Sequence, residues 1–403
     1  MNLLLILNYL SHFIISDLYI LYSEFKIYNL LYFFNIFICN RLLIQKRINE
    51  NLKRLFLLAI FFIFYIFCID LIKNETIIES FKNLLRNYGT ISLLPITKYA
   101  LENKKFNIFS IIKNLLFISV FFALLQIIGY KYMINDLLNN LPIIQFESAP
   151  YDFIAVDRIS GANTNYIGFA LFVSFLIIFY YYKFTKKNGL KNIIILLFLI
   201  IVLLFNQTRA AIYTLLPIIA ISDFLITKQN YKIYFKRFFK LILALIPIYF
   251  LYNYFSQENL AYIQKKIDFG DTHRLYTNLV MIKGVLLENP LFGINKEESW
   301  DIFFKYYNSN IPFDYSKNTP THHNQIGYYI RYYGLIGLLI FLVLNFRIFQ
   351  LIKKSLNNEY KIILMSYFFL EFIYSFVHNN LLLNSVLLWS LLSLNFVDKD
   401  NKI

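Results

Sequence analysis

Two histidines and an asparagine, His322-His323-Asn324, stand directly ahead of an apolar run that begins QIGYYIRYYGLIGLLIF. An imidazole titrates near neutral pH, so either ring can take a proton from a hydroxyl or return one. Neighbouring residues point in different directions on a helix or a strand, so His322 and His323 cannot share one task. A solvated loop histidine is the plain alternative for each. Arg331 falls about two turns inside the apolar run, where a charge is costly and calls for a cavity or a phosphate partner. Arg274 opens a second helical pattern upstream, and the plain alternative there is an anchor to lipid phosphate.

Arg209 sits between two apolar runs in NQTRAA. Its small neighbours Ala210 and Ala211 let a ligand or another helix come close. The planar fork of arginine suits a diphosphate better than the point charge of lysine. The alternative is an arginine that snorkels to the surface. Arg158 leads RISGANTNYIGFAL into another apolar run, where Asn163 or Thr164 can equally serve as a helix cap. His378 lies in a turn between the last two runs. Three arginines and a His-Asn pair on one face of a membrane would suit an anionic, lipid-linked substrate.

Those residues need a scaffold, and the composition says which kind. Of 403 residues, 58% are hydrophobic and only 16% charged. Apolar runs of bilayer-crossing length recur along the whole chain. The expected fold class is an all-α integral membrane protein with about twelve transmembrane helices. The expected spans are Leu3–Leu21, Ile27–Cys39, Leu55–Ile72, Asn87–Leu101, Ile108–Ile128, Thr164–Tyr182, Ile193–Phe205, Ala210–Ile226, Leu241–Phe255, Ile326–Phe346, Ile362–Val377 and Leu381–Phe396. The first has no basic residue ahead of it and no small-residue cleavage signal, so it reads as a retained span.

The net charge of +15 does not indicate a nucleic-acid partner, because the basic residues sit in short loops between spans. Those loops alternate sides, which sets both termini in the cytoplasm. The stretch 256–325, the Arg158 loop, Arg209 and His378 then share the far side. Residues 1–403 read as one polytopic membrane domain, with 256–325 as its one large loop, between spans nine and ten. Within that loop Leu275, Leu279, Ile282 and Leu286 recur at helical spacing. Asp271 or Thr272 can cap that helix, and Asn289-Pro290 stops it. It can lie in the interfacial plane. Cys39 and Cys68 both fall in apolar runs, and no Cys/His cluster has metal spacing, so neither a disulfide frame nor a metal is indicated.

The motifs GANTNYIGFAL, QTRAA, Arg274 followed by ENPLFGIN, and HHNQIGYYIRYYGLIGLLIF are together similar to those of the O-antigen ligase and polymerase family of bacterial envelope glycan assembly. The resemblance covers roughly Arg158 to the C-terminus. It implies a bacterial inner-membrane glycosyltransferase that moves a glycan from undecaprenyl diphosphate to an acceptor hydroxyl on the periplasmic side. On that resemblance His323, Arg274 and Arg209 are the catalytic set. The arginines hold the diphosphate, and His323 deprotonates or orients the acceptor hydroxyl. Arg158, Asn324, His322, Arg331 and His378 form the substrate-binding set. No cofactor and no essential metal is implied. The partners implied are the undecaprenyl-diphosphate-linked glycan, the lipid bilayer and a chain-length regulator protein, with no nucleic acid. Polymerase is preferred to ligase. A lipid-linked oligosaccharide flippase is the alternative of another class. It predicts two similar halves and charges spread along the spans, whereas the polar residues here gather in one large loop.

Overall fold

The computed structural model describes residues 1–13, 18–20, 27–45, 50–73, 76–103, 107–127, 144–146, 166–186, 189–206, 272–295, 297–307, 324–354, 358–376 and 385–396, with isolated positions between 211 and 239 and at 383. Among these the fold is helical. Four helices are long and apolar enough to cross a membrane: Glu50–Ile72, Ile108–Leu125, Gly168–Lys186 and Gln325–Lys354. Shorter apolar helices accompany them at Asn2–Ser11, Asn29–Ile44, Leu190–Asn206 and Val386–Phe396. Aromatic and branched side chains such as Phe33, Phe37, Phe61, Phe64, Leu339 and Phe346 stay exposed on their outer faces. An apolar outside and an apolar core together are what a bilayer-embedded helix bundle requires.

The first apolar run departs from the expected span to Leu21. Its helix is Asn2–Phe13, and Leu18–Ile20 instead pairs antiparallel with Ile144–Phe146. The fourth run also differs. The helix there begins at Ile77, where Thr76 accepts from the Glu79 amide, and not at Asn87. A second helix, Leu93–Glu102, follows after Ser92. Pro95 sits in its first turn, where no intrahelical N–H is needed. The last run starts late, at Val386, with Ser385 as its cap, and tightens into a 3-10 turn at Ser393–Phe396. The expected span Leu241–Phe255 lies outside the described residues.

Polar groups tie the bundle together. Asn8 and Asn35 exchange amide hydrogen bonds at 3.0 and 2.7 Å between the helices Asn2–Phe13 and Ile27–Ile44. In an apolar medium such a reciprocal pair satisfies groups that have no water available. The helix Glu50–Ile72 packs against both Ile77–Ile91 and Gln325–Lys354. A second, smaller core joins the polar half of the chain to this bundle. Val280, Met281 and Val285 of the helix Thr272–Glu288 meet Phe303 of the helix Glu298–Tyr306, together with Ile294 and Ile330.

The helix Gln325–Lys354 is not continuous. At Gly334 the backbone turns to φ 64°, ψ −165°, which only glycine adopts freely. A break of this kind leaves carbonyls on one side and amides on the other without their helical partners. Here other parts of the chain take their place. The Ile294 amide donates to the Arg331 carbonyl at 2.7 Å, and the Leu335 and Ile336 amides donate to Pro290 and Leu291 carbonyls at 2.8 and 3.4 Å. The Tyr65 hydroxyl donates to the Tyr333 carbonyl at 2.9 Å. Lys73 donates to the carbonyl of Tyr332. The segment 290–294 lies so close to the break that a methyl group on Gly334 would collide with the Leu291 carbonyl.

Candidate functional site

Asn324 begins the site. Its side-chain oxygen accepts from the Gly327 amide, and its carbonyl accepts from the Tyr328 amide at 3.0 Å. It is therefore the cap of the broken helix, the role that asparagine serves best because its short side chain reaches the free amides of the first turn. The Gln325 amide donates at 2.7 Å to the Ser375 carbonyl, which ties this helix start to the end of the helix Asn358–Tyr374. The loop helix Thr272–Glu288 packs against the broken helix near Gly327. A Cβ there would stand 3.7 Å from Asn278 Oδ1. The loop helix thus crosses the first turn of the broken helix next to Asn324.

The backbone of Arg274 lies at the start of the loop helix, one turn before Asn278. Asn324 and Arg331 are described with their side chains. His322, His323, Arg158, Arg209 and His378 lie outside the described residues. Arg331 is 5% exposed. Its Nε donates to Ser299 Oγ at 3.1 Å, and its guanidinium lies 4.9 Å from the centre of the Tyr332 ring. Ser299 Oγ in turn donates to the Asn295 carbonyl at 2.9 Å. Arg331 therefore holds the short helix Glu298–Tyr306 against the break.

Below the break a polar group enters the apolar core. Tyr333 donates to Asp70 Oδ1 at 3.0 Å, and its hydroxyl is 3.3 Å from that of Tyr328. Asp70, Lys73, Glu79, Ser80, Tyr328 and Tyr332 border a cavity of ≈ 20 Å³, room for about one water molecule. The Ser80 hydroxyl is buried there, with no hydrogen-bond partner among the described residues. On the other side of Lys73 opens a larger cleft of ≈ 330 Å³, walled by Ile69, Ile72, Phe292, Gly293, Asn295 and Glu298.

Outside the apolar helices one ion pair stands out. Glu288 Oε1 receives Lys305 Nζ and Tyr306 OH, both at 2.5 Å. The Lys305 and Tyr306 hydrogen bonds hold the Glu288 carboxyl below its ordinary value of 4.5, and the Glu288 carboxylate holds Lys305 above its ordinary 10.5. This pair joins the end of the loop helix to the short helix. Among the described residues no three His, Cys, Asp or Glu side chains stand together as a metal site.

Asp70, Tyr65 and Tyr333 are the residues that motif reasoning passes over. The signal is present in the run IFYIFCIDLIK, where one carboxylate interrupts a long apolar stretch and a lysine follows three positions later. An ionisable residue inside a span is a functional candidate by default, and spacing i,i+3 sets Asp70 and Lys73 on one helix face. No protein-family model and no curated protein matches this chain.

Proposed function

We propose that this chain is a polymerase of undecaprenyl-diphosphate-linked oligosaccharide repeats, an O-antigen or capsular polysaccharide polymerase of the bacterial inner membrane. It spans the membrane about twelve times, with cytoplasmic termini and the 256–325 loop in the periplasm. The observation that carries the reading is the crossing at Gly327. The helix Thr272–Glu288, which carries Arg274 in its first turn, passes the first turn of the helix that follows His323 and Asn324 in the sequence. That crossing supports a reading in which a cation for the diphosphate and a base for the acceptor hydroxyl, 49 positions apart by number, serve one site.

In the reaction, the acceptor sugar oxygen forms a bond to the anomeric carbon of the donor glycan as the bond to the diphosphate oxygen breaks. His323 takes the hydroxyl proton. Arg274 and Arg209 stabilise the charge that grows on the departing undecaprenyl diphosphate, and Arg158 helps to hold it. His322, Arg331 and His378 complete the substrate-binding set. The oxygen of Asn324 on the Gly327 amide suits a residue that fixes the helix start next to His323 in the sequence. The diphosphate is already a good leaving group, so the step needs no metal. The lipid carrier lies in the bilayer beside the loop helix, and a chain-length regulator is the protein partner that such a polymerase takes.

The test is surface glycan display on a denaturing gel. A strain deleted for the gene is complemented with wild type, Arg274→Ala or His323→Ala at matched membrane levels. A polymerase loses the long ladder and keeps single repeats on the lipid core. An O-antigen ligase loses every repeat while lipid-linked polymer accumulates. A lipid-linked oligosaccharide flippase is the second reading, and the broken helix is the observation on its side, because transporters bind at discontinuous helices. An unchanged ladder in every strain removes the glycan-transfer reading.

A further inference from the structure

We propose that the carbonyl oxygens of Phe292, Ile294 and Tyr332 form a monovalent-cation site, which the chain fills with its own ammonium group, Lys73. The nitrogen donates to Phe292 at 2.7 Å, to Ile294 at 3.2 Å, and to Tyr332. These oxygens come from two separate segments and converge on one point. Without a positive charge between them, three negative dipole ends would face one another. Oxygen cages of this type hold small cations where backbone carbonyls line a constriction.

Three further features suit a cation. Tyr332 lies at the carbonyl end of the half-helix that stops at Gly334, where the peptide dipoles leave a partial negative charge. Unwound carbonyls and half-helix ends are also where discontinuous membrane helices bind monovalent cations. Asp70 and Glu79 border the cavity on one side of Lys73, and Glu298 borders the cleft on the other. Gly293, at φ 73°, turns the chain so that the carbonyls before and after it reach the same nitrogen.

The tether makes occupancy independent of the surrounding salt. It also ties the end of the helix Glu50–Ile72 to both the loop and the break. The cleft leads from the surface to Lys73, so a shortened side chain opens the cage to free cations. Sodium, potassium and n-propylammonium then enter, the last of these replacing the atoms that alanine lacks. The inference does not depend on glycan transfer, and its readout is stability.

The test is thermal unfolding of the purified full-length protein in detergent. Wild type, Lys73→Ala and Lys73→Met are compared in choline, sodium, potassium and propylammonium chloride at equal ionic strength. Wild type unfolds at one temperature in all four salts. In choline, Lys73→Ala unfolds about 2 °C lower, the shift that one to two kcal/mol produces at an unfolding entropy of about 2.1 cal/mol/K per residue. It regains at least half of that in propylammonium and part of it in sodium or potassium. Lys73→Met, which refills the space with an uncharged stem, stays low in all four. The proposal is overturned if Lys73→Met matches wild type, or if no small cation raises Lys73→Ala above its value in choline. Where Lys73→Ala does not survive extraction, the yield of monodisperse protein extracted in propylammonium is compared with that in choline, and equal yields overturn the proposal.

Discussion

The phenol of Tyr333 donates to a carboxylate oxygen of Asp70 at 3.0 Å, inside the contact between the helices Glu50–Ile72 and Gln325–Lys354. Asp70 is only 8% exposed, so the bond holds a carboxylate that water does not reach freely. Removing the donor should cost about 1.5–3 kcal/mol, the range for a hydrogen bond to a charged group. Tyr333→Phe is therefore expected to lower unfolding temperature clearly, and Asp70→Asn to lower it less than Asp70→Ala. A double-mutant cycle should give a coupling of about 1 kcal/mol or more. Purely additive losses would show that the two groups act separately.

Gly334 sets a second expectation. Its φ of 64° and the Leu291 carbonyl against its α-carbon leave no room for a side chain. Gly334→Ala should destabilise by about 2–3 kcal/mol, because it combines an unfavourable backbone with a collision against backbone atoms that cannot turn aside. Gly284 is the control. A methyl there meets side-chain atoms, Ile302 Cγ2 at 2.6 Å and Tyr306 Cδ2 at 3.0 Å, with backbone no nearer than 3.6 Å, and Gly284 has no positive φ. Thermal unfolding should rank Gly334→Ala well below Gly284→Ala, and the reverse order would refute the account of the break.

Apolar length in the sequence is enough to locate the helices Glu50–Ile72, Ile108–Ile127, Tyr166–Lys186 and Gln325–Lys354, because a bilayer-crossing run has few alternatives to a helix. It locates their ends less well. The helix Glu50–Ile72 begins five residues before its apolar run at Leu55, where Glu50 and Arg54 pair at i,i+4. In the first run the helix covers Asn2–Phe13, and the pairing of Leu18–Ile20 with a segment over 120 positions away is not a property of its hydropathy. The break at Gly334 is likewise invisible to hydropathy, since RYYGLIGLLIF reads as one run whatever its dihedral angles. At the site, the residue types around Asn324 and Arg331 were readable. The joining of Asp70 to Tyr333 was not, because nothing local to either residue names the other.

The Glu288 pair gives a pH dependence. Lys305 and Tyr306 keep the folded carboxyl below its ordinary value of 4.5. A depressed folded value means that the stabilisation is fully present above 4.5 and is lost as pH falls through the lower folded value. The contact between the loop helix and the helix Glu298–Tyr306 should therefore loosen under acid. Amide protection across 298–306, taken relative to the intrinsic exchange rate at each pH, should fall below about pH 4 in wild type. Glu288→Gln should exchange faster at neutral pH and show little further acid response. The pair is surface-exposed, so added salt should weaken the effect.

Glu371 accepts from Tyr367 and Ser385, each at 2.6 Å and both on the same carboxyl oxygen, inside the bundle. Ser385 also receives the Leu388 amide, so this carboxyl steadies the start of the last helix. Glu371→Ala would leave two buried hydroxyls without that acceptor, at a cost of about 2–4 kcal/mol. Glu371→Gln keeps an oxygen in place and should retain most of the stability. Limited proteolysis of the two variants should cut the alanine form faster near 383–386.

Asn324 separates structural support from chemistry. Its oxygen on the Gly327 amide makes it a helix cap, and replacement by alanine should cost about 1 kcal/mol. Aspartate offers the same acceptor, so Asn324→Asp should keep that stability. The two variants then differ in a useful way. If the residue serves only as a cap, glycan output should follow stability, with Asn324→Asp close to wild type and Asn324→Ala reduced in proportion to its folded amount. If the side-chain amide also donates to a sugar hydroxyl, Asn324→Asp should fold normally and yet lose polymer, because a carboxylate has no N–H to give. A carboxylate beside the proposed diphosphate would lower output further by repulsion, and Asn324→Ser, an uncharged cap that still donates, should recover part of it. The measurement is polymer per folded protein for the three variants. Equal values across all three would confine Asn324 to the fold.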